Sequence, residues 1–279
     1  MRPFKIGVMS DCFHLDPLEG IRKSAALGAE GVQIYTVSGP MGPDEMTPAK
    51  RAGLKKLCAD LGLEISALCG DIGGGFRNAA GNPAKIAASK KIVDLAADLG
   101  TRVVTTHIGV TPEDPKDPIY LTMLLACREL ALHAASRGVT FAVETGPEKA
   151  VTLKRFLDDV GSAGLGVNFD PANLVMVVAD DPVQAVHTLK KYIVHTHAKD
   201  GIQIKAGDPV STYHGSESPH SAAQFEEVPL GHGGVDWDRY LTALEQVGYR
   251  GFLTIEREVG TDPAGDIARA ISFLRNKVQ

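Results

Sequence analysis

The sequence predicts one closed α/β barrel in which eight parallel strands alternate with helices, a (β/α)8 or TIM barrel spanning residues 1–279. Helix-like stretches end at Gly28, Gly62, Gly100 and Gly138, which are 34, 38 and 38 residues apart. Each interval holds one strand and one helix, the unit of a parallel α/β fold. An apolar run follows nearly every closing glycine, and a capping residue followed by proline precedes most helices. Together these three observations favour a barrel in a single domain.

Eight apolar runs are predicted as strands, and they occupy the chain without an intervening linker. In order, they are Phe4–Met9, Gly31–Tyr35, Leu63–Cys69, Arg102–Ile108, Val139–Glu144, Gly166–Asp170, Ile193–Ala198 and Gly251–Glu256. An open, doubly wound sheet is the alternative for the same alternation of strands and helices. The first strand lacks the glycine-rich loop that binds dinucleotides in such sheets, so the closed barrel is preferred.

Helices are predicted between the strands from their starts and from their apolar spacing. A capping side chain followed by proline marks six helix starts, at Asp16, Thr47, Asn82, Asp117, Asp181 and Asp262. The last helix carries Ile267, Ile271 and Leu274 at the i, i+4 and i+7 positions, so these residues share one face. A similar apolar stripe follows Asp236.

The segment of about 201–234 breaks this rhythm because it is long and rich in Gly, Ser, Pro and His. Long loops in compact domains are commonly lids or binding loops. In a barrel, the loop after the seventh strand lies on the active face. We therefore expect an irregular, substrate-covering loop that brings His214, His220 or His232 near the barrel mouth.

Composition and charge restrict the partners of the chain. The formal net charge is −5 and the pI is about 6.0, which offers no general attraction for nucleic acids or anionic membranes, so neither is expected as a partner. The four cysteines contain no C-x-x-C pair. A strand begins at Phe4, where a signal peptide would lie, and no apolar run is long enough to cross a bilayer. We expect a cytoplasmic protein and leave a homo-oligomer open.

Four predicted strands end in metal-ligating side chains. Glu144, Asp170 and Glu256 end the fifth, sixth and eighth strands, and His197 lies near the end of the seventh. Parallel strands of a barrel end at one face and side chains alternate along each strand, so these four should converge. Three carboxylates without a cation would repel one another. The sequence therefore predicts one divalent metal ion bound by these four residues, with Mn²⁺, Mg²⁺, Co²⁺ and Zn²⁺ left open.

Further candidates for substrate binding lie near the same strand ends. His107 occupies the equivalent place on the fourth strand. Glu148 is predicted to contact a substrate hydroxyl or, alternatively, to be an anion at a helix N-terminus. Lys199 is predicted to stabilise an oxyanion or phosphate or, alternatively, to be solvated. His232 is a further partner for a hydroxyl. Glu258 is expected to be a surface charge.

Five segments of the sequence resemble the xylose isomerase-like TIM barrel family, which holds sugar isomerases and epimerases, inosose dehydratases and apurinic endonucleases. They are VETGPE, GVNFDPANL, HTHAKD, EVPLGHGGVDW and GYRGFLTIERE, and the similarity spans almost the whole chain. For the epimerase branch, the resemblance implies one divalent metal on Glu144, Asp170, His197 and Glu256. It also implies that the two glutamates are catalytic and exchange protons with the substrate from opposite faces.

One position departs from the epimerase pattern. Many sugar epimerases carry D-x-x-H after the metal-binding aspartate, whereas this chain has Asn173. An amide can hydrogen-bond a substrate hydroxyl or orient a metal ligand, but it cannot carry a proton. The resemblance therefore implies a binding role for Asn173 and leaves the reaction open.

The favoured function is a metal-dependent sugar isomerase or epimerase in carbohydrate metabolism. It would abstract a proton next to a carbonyl through an enediolate whose charge the metal stabilises. The alternative is a lyase or dehydratase that acts on a keto-sugar, keto-glycoside or inosose through the same enolate chemistry. A phosphodiesterase for damaged DNA is disfavoured because the chain lacks a basic groove and a histidine-rich site. A sugar-binding protein with a degenerate site is disfavoured because all four ligand positions are filled.

Overall fold

The computed structural model of the protein describes residues 2–214 and 224–279. Its strands are β1 (Lys5–Met9), β2 (Gly31–Tyr35), β3 (Glu64–Cys69), β4 (Val103–Thr106), β5 (Thr140–Glu144), β6 (Leu165–Phe169), β7 (Ile193–Ala198), β8 (Asp200–Gln203), β9 (Phe225–Val228) and β10 (Phe252–Ile255). Eight of them form a closed parallel barrel in the order β1-β10-β7-β6-β5-β4-β3-β2. The barrel closes where Lys5 pairs with Phe252 and Val8 pairs with Ile255. The predicted barrel is confirmed, and the open sheet is excluded.

Helices connect the barrel strands on the outside, except α8, which lies between β8 and β9 in the chain and contacts the barrel mouth. They are α1 (Pro17–Ala26), α2 (Pro48–Asp60), α3 (Asn82–Leu99), α4 (Pro118–Ser136), α5 (Ala150–Val160), α6 (Pro171–Val178), α7 (Pro182–Leu189), α8 (Pro209–His214), α9 (Trp237–Gln246) and α10 (Pro263–Val278). Among the described residues, no helix combines the length and the apolar character that crossing a bilayer requires.

The predicted helix starts are confirmed at five of the six positions. The side chains of Asp16, Thr47, Asp117, Asp181 and Asp262 each accept a hydrogen bond from a backbone N–H of the first turn. The prediction for Asn82 is wrong because its side-chain amide donates to the carbonyl of Phe76, at 2.9 Å, and no side chain caps this helix. Asn82 is buried against the loop before α3, and this tertiary contact outweighs the local capping preference.

The hydrophobic core lies mainly between the strands and the surrounding helices, where Ile267, Ile271 and Leu274 of α10 are buried as predicted. Ala67, Val103 and Ala142 form a separate small cluster. Ala142 and Glu144 point to the same face of β5, and Glu144 lies two residues nearer the C-terminal end of the strand. Small apolar side chains therefore lie below the polar residues of the barrel mouth.

The segment of about 201–234 is more regular than an irregular loop. In its described part, β8 and β9 pair antiparallel, with Asp200 opposite Val228, and α8 lies between them in the chain. Asp200 anchors both ends of this excursion. Its Oδ1 accepts hydrogen bonds from the backbone N–H groups of Gly201 and Val235, and its Oδ2 accepts from the Gly231 N–H and the Trp237 indole.

Candidate metal centre and active site

Four side chains from four strand ends converge at the C-terminal mouth of the barrel. Glu144 ends β5, His197 lies near the end of β7, and Asp170 and Glu256 directly follow β6 and β10. One ligand atom from each residue lies within 4.8 Å of the others, and all four residues are buried. The structure thus brings together the four residues that the sequence predicts as metal ligands.

His197 lies at the centre of this group. Its Nδ1 is 3.1 Å from Glu256 Oε2, 3.5 Å from Glu144 Oε1 and 3.7 Å from Asp170 Oδ2. Burial alone would lower the pKa of His197, but the carboxylates of Glu256 and Glu144 outweigh burial and raise it well above its usual range. The neighbouring carboxylates therefore favour the protonated form of the imidazole.

Gln33 holds the other side of the His197 ring. Its Oε1 lies 3.1 Å from His197 Nε2, and its own amide donates to Thr105 Oγ1 at 3.1 Å. A carbonyl oxygen can only accept, so this contact assigns the hydrogen to Nε2 and leaves Nδ1 directed at the carboxylates. Metal-binding histidines are commonly oriented by such an acceptor on the far ring nitrogen.

The two carboxylate oxygens of Asp170 have different surroundings, one at the start of α6 and the other in the candidate metal site. Its Oδ1 caps α6 by accepting from the N–H groups of Ala172 and Asn173, at 2.8 and 3.0 Å. Among the described residues, no hydrogen-bond donor reaches its buried Oδ2, which faces His197. A buried carboxylate oxygen without a donor is costly unless a cation satisfies it. The four side chains therefore suit a divalent metal ion.

Asparagines orient Glu144. The amide of Asn173 donates to Glu144 Oε1 at 3.0 Å, and that of Asn168 donates to Glu144 Oε2 at 3.1 Å. Asn168 Oδ1 also contacts His195 Nδ1, whose Nε2 contacts Thr254 Oγ1. Both ring nitrogens of His195 are therefore engaged in the layer below the four ligands.

A cavity of about 350 Å³ opens above these residues. The predicted site residues Glu144, Glu256, His107, Asn173 and Lys199 all line it. Asp170 and His197 are buried below its floor. The two glutamates therefore form part of the cavity wall, whereas the other two candidate ligands do not.

His107 lies beside Glu144 and is paired with a second carboxylate. Its Nδ1 is 2.8 Å from Asp71 Oδ2, and its Nε2 is 3.7 Å from Glu144 Oε1. Burial opposes protonation of His107, but Glu144 and Asp71 outweigh it and raise its pKa to about 10. The ring also packs on Tyr213 of α8, with 5.5 Å between ring centroids. The segment after β7 therefore reaches the site through Tyr213.

Lys199 is buried, so the alternative of a solvated side chain is wrong. Its Nζ lies 2.7 Å from Glu256 Oε2 and 2.6 Å from Glu258 Oε2. Burial alone would raise the pKa of Glu256, but His197 and Lys199 lower it well below its usual range. Glu258 is exposed, as expected of a surface charge, but it also lines the cavity and pairs with Lys199.

Two predicted substrate-binding residues lie away from the cavity wall. Glu148 is buried and accepts a hydrogen bond from the Thr111 N–H at 2.9 Å. Burial raises the pKa of Glu148 to about 8, against the lowering effect of Thr111. His232 is exposed, in a turn where its N–H donates to the Pro229 carbonyl. His220 and the side chain of His214 lie outside the described residues.

Sequence reasoning missed three residues that build the site, namely Gln33, Asp71 and Tyr213. Gln33 is the polar residue inside an otherwise apolar strand, GVQIY, and this signal could have found it. Asp71 follows β3 after a glycine, which is also a polar strand end. The sequence around Tyr213 does not indicate that it reaches the site, because its place beside His107 depends on how the segment after β7 folds.

Comparisons with known proteins agree with this architecture. Residues 21–277 match the family model described as a xylose isomerase-like TIM barrel. A xylose isomerase domain protein from Planctomyces limnophilus is 29% identical, with a TM-score of 0.81 over 98% of this chain and 97% of that chain. No curated protein sequence matches the chain significantly.

More distant structures share the fold. The probable 3-DHS dehydratase AsbF from Bacillus anthracis is 17% identical, with a TM-score of 0.75 over 98% of this chain and 100% of that chain. A D-tagatose 3-epimerase-like protein is 20% identical, with a TM-score of 0.74 and 98% of each chain covered. The family model covers most of the chain, and these structures have the same barrel. The chain therefore belongs to the xylose isomerase-like TIM barrel family.

Proposed function

We propose that this protein is a divalent-metal-dependent sugar isomerase or epimerase that moves a proton on a carbon next to a carbonyl group. The convergence of Glu144, Asp170, His197 and Glu256, with ligand atoms within 4.8 Å of one another, carries the proposal. A bound divalent ion would supply Lewis-acid stabilisation of the enediolate charge. Likeness to a D-tagatose 3-epimerase-like protein supports a carbohydrate substrate.

The two glutamates are proposed to be the proton carriers. Glu144 and Glu256 both line the cavity, and they follow strands β5 and β10, which β6 and β7 separate in the barrel. They therefore approach a bound substrate from different directions. Asn173 and Asn168 orient Glu144, and Lys199 orients Glu256, so each carboxylate has a fixed position for abstracting or returning a proton. A pair of this kind can invert the carbon by removing the proton on one face and returning a proton on the other.

The alternative function is a lyase on a keto-sugar, keto-glycoside or inosose. The pair formed by His107 and Asp71 favours it, because it lines the same cavity 3.7 Å from Glu144. After a glutamate abstracts the proton, an imidazole at this position could protonate a departing hydroxyl or glycosyl oxygen. Likeness to a probable dehydratase is compatible with this chemistry.

Proton exchange separates the two reactions. The protein is incubated with Mn²⁺ and a panel of ketoses, keto-glycosides and inososes in deuterated water. Deuterium uptake with a changed configuration supports the isomerase or epimerase, whereas loss of water or of the aglycone supports the lyase. Absence of both reactions across the panel, in protein that has bound the metal, would contradict the proposed function.

A further inference from the structure

We infer that the cavity takes an uncharged substrate, without a phosphate or carboxylate group. This inference rests on the proposed function and specifies its substrate class. Among the described residues, four carboxylates line the cavity, those of Asp71, Glu144, Glu256 and Glu258. The basic side chains that line it are Lys199 and His107. The lining is therefore acidic.

Both basic side chains already have carboxylate partners. The Lys199 ammonium lies 2.7 and 2.6 Å from oxygens of Glu256 and Glu258, and the His107 ring lies 2.8 Å from Asp71. A phosphate on the substrate would have to displace one of these carboxylates and would then lie beside it. Like charges at such distances oppose binding.

A bound divalent ion does not remove the excess of carboxylates over basic groups around the cavity. Asp170 below the cavity floor adds a fifth carboxylate to the four of the lining. These five carboxylates outnumber the two charges of the ion together with the ammonium group of Lys199, the single one among the described residues that line the cavity. A dianionic substituent would therefore still lie close to several carboxylates.

Three backbone N–H groups beside the cavity that could bind a phosphate already donate to carboxylates. The N-terminus of α6 faces the metal centre, but Asp170 Oδ1 already accepts its N–H groups from Ala172 and Asn173. In the glycine loop after β3, the Gly73 N–H donates to Asp71 Oδ1. Lys85 beside this loop donates to the carbonyls of Gly73 and Gly75, at 2.8 and 2.7 Å.

Apolar side chains complete the cavity. Met176 and Val177 come from α6, Tyr213 from α8 and Phe225 from β9. These surfaces suit the C–H face of a sugar ring or an uncharged substituent better than a hydrated phosphate. The part of the substrate that does not react is therefore expected to be neutral as well.

The test compares D-fructose and D-tagatose with their 6-phosphates. Affinity is measured by ligand-observed NMR titration of the protein, once with diamagnetic Mg²⁺ and once after chelation, at constant ionic strength. We expect each neutral ketose to bind at least tenfold more tightly than its phosphate in both conditions. Equal or tighter binding of a phosphate would overturn the inference.

A pair of charge variants tests the cause. Glu258→Gln removes the carboxylate that pairs with Lys199, so the preference for the neutral ketose should fall by at least threefold. Glu226→Gln is the matched control, because Glu226 is exposed on β9 and is not among the residues lining the cavity. It should leave the preference unchanged, and equal effects of the two variants would contradict the role of cavity charge.

Deuterium exchange on the same ligands tests the proposed isomerase chemistry separately from the preference for a neutral substrate. Exchange on a 6-phosphate alone would support the isomerase chemistry and overturn the neutral-substrate inference. Tighter binding of the neutral ketoses without exchange on any ketose would contradict the proposed function and support the charge selectivity.

Discussion

At the scale of single residues, Glu144 and Glu256 combine two proposed roles, metal ligation and proton transfer. Gln at either position keeps the shape and one ligating oxygen but loses the basicity needed to abstract a proton. General acid–base groups contribute roughly 10²–10⁴-fold to rate. We expect Glu144→Gln and Glu256→Gln each to lower kcat by at least about 10²-fold with little change in substrate affinity. Steady-state kinetics and calorimetric binding measure the two effects.

Because the two glutamates approach from different directions, each variant should keep proton exchange with only one epimer. Glu226→Gln is the control for the change of charge. Two variants that keep both the metal and near-normal turnover would refute the two-glutamate mechanism.

Gln33 is a positioning residue rather than a metal ligand. Its Oε1 holds the Nε2–H of His197 at 3.1 Å. Partners that orient a metal-binding histidine typically contribute about 10–100-fold to metal affinity. Gln33→Met removes the acceptor with little change in volume, so metal affinity should fall by about 10–100-fold while the fold is retained. Competition with a chromogenic chelator measures the affinity.

The control is Gln184→Met, at an exposed position of α7. Equal metal affinities for Gln33→Met and the parent protein would show that the contact does not orient His197.

Glu148 links the pH to stability. Burial raises its pKa from 4.5 to about 8, so the folded protein favours the protonated form. Below pH 4.5 Glu148 is protonated in both the folded and the unfolded protein, so it does not lower the free energy of unfolding. As the pH rises from 4.5 towards 8, the unfolded protein loses this proton more readily, and the free energy of unfolding falls. Gln at position 148 stays neutral and keeps an acceptor for the Thr111 N–H. Glu148→Gln should thus gain stability relative to the parent between pH 5 and pH 8.

Urea unfolding at both pH values measures this gain, and Glu129→Gln on the exposed face of α4 provides the control. A stability difference between Glu148→Gln and the parent that does not change with pH would refute the raised pKa.

At the scale of elements, Asp200 joins the two ends of the segment that carries α8 and the β8–β9 hairpin. It is fully buried and accepts four hydrogen bonds, from Gly201, Gly231, Val235 and the Trp237 indole. Hydrogen bonds to a charged group are worth about 1.5–3 kcal/mol each. In Asp200→Asn, an NH₂ group replaces one of the two accepting oxygens, so it would point at N–H groups and could not accept their hydrogen bonds.

We expect Asp200→Asn to lower the free energy of unfolding by about 3 kcal/mol. Amide hydrogen exchange should also accelerate at 201–203 and 231–237. Asp208→Asn, at the exposed start of α8, is the control. Unchanged exchange at both ends of the segment would show that Asp200 does not anchor it.

At the scale of the whole molecule, the metal should stabilise the barrel because its proposed ligands come from four different strands. A ligand that binds only the folded state at 100 times its Kd adds about 2.7 kcal/mol. For a chain of this size, that corresponds to a rise in Tm of about 5–10 °C. Differential scanning calorimetry with Mn²⁺ and with a chelator measures the shift.

Asp170→Asn keeps an oxygen to cap α6 but removes the ligand charge, so its Tm should respond much less to Mn²⁺. An equal shift in Asp170→Asn and the parent would place the ion elsewhere.

The sequence by itself determined the barrel and the convergence of its four acidic and imidazole strand ends. The repeat of strand, helix and closing glycine predicts parallel strands, and parallel strands in a barrel end at one face. The side-chain alternation then places Glu144 and His197 inward without further information. These features depend on short-range periodicity, which a single sequence displays.

Only the tertiary structure decided which other side chains contact these four. Gln33 meets His197 across the barrel interior, from 164 positions earlier in the chain. Lys199 is buried because its carboxylate partners, Glu256 and Glu258, follow β10, which lies beside β7 in the barrel. The Asn82 side chain does not cap α3 and instead donates a hydrogen bond to the loop before this helix. Such contacts depend on strand order, barrel curvature and loop packing. Local sequence patterns do not encode these distances, because the two partners are brought together only when the barrel closes.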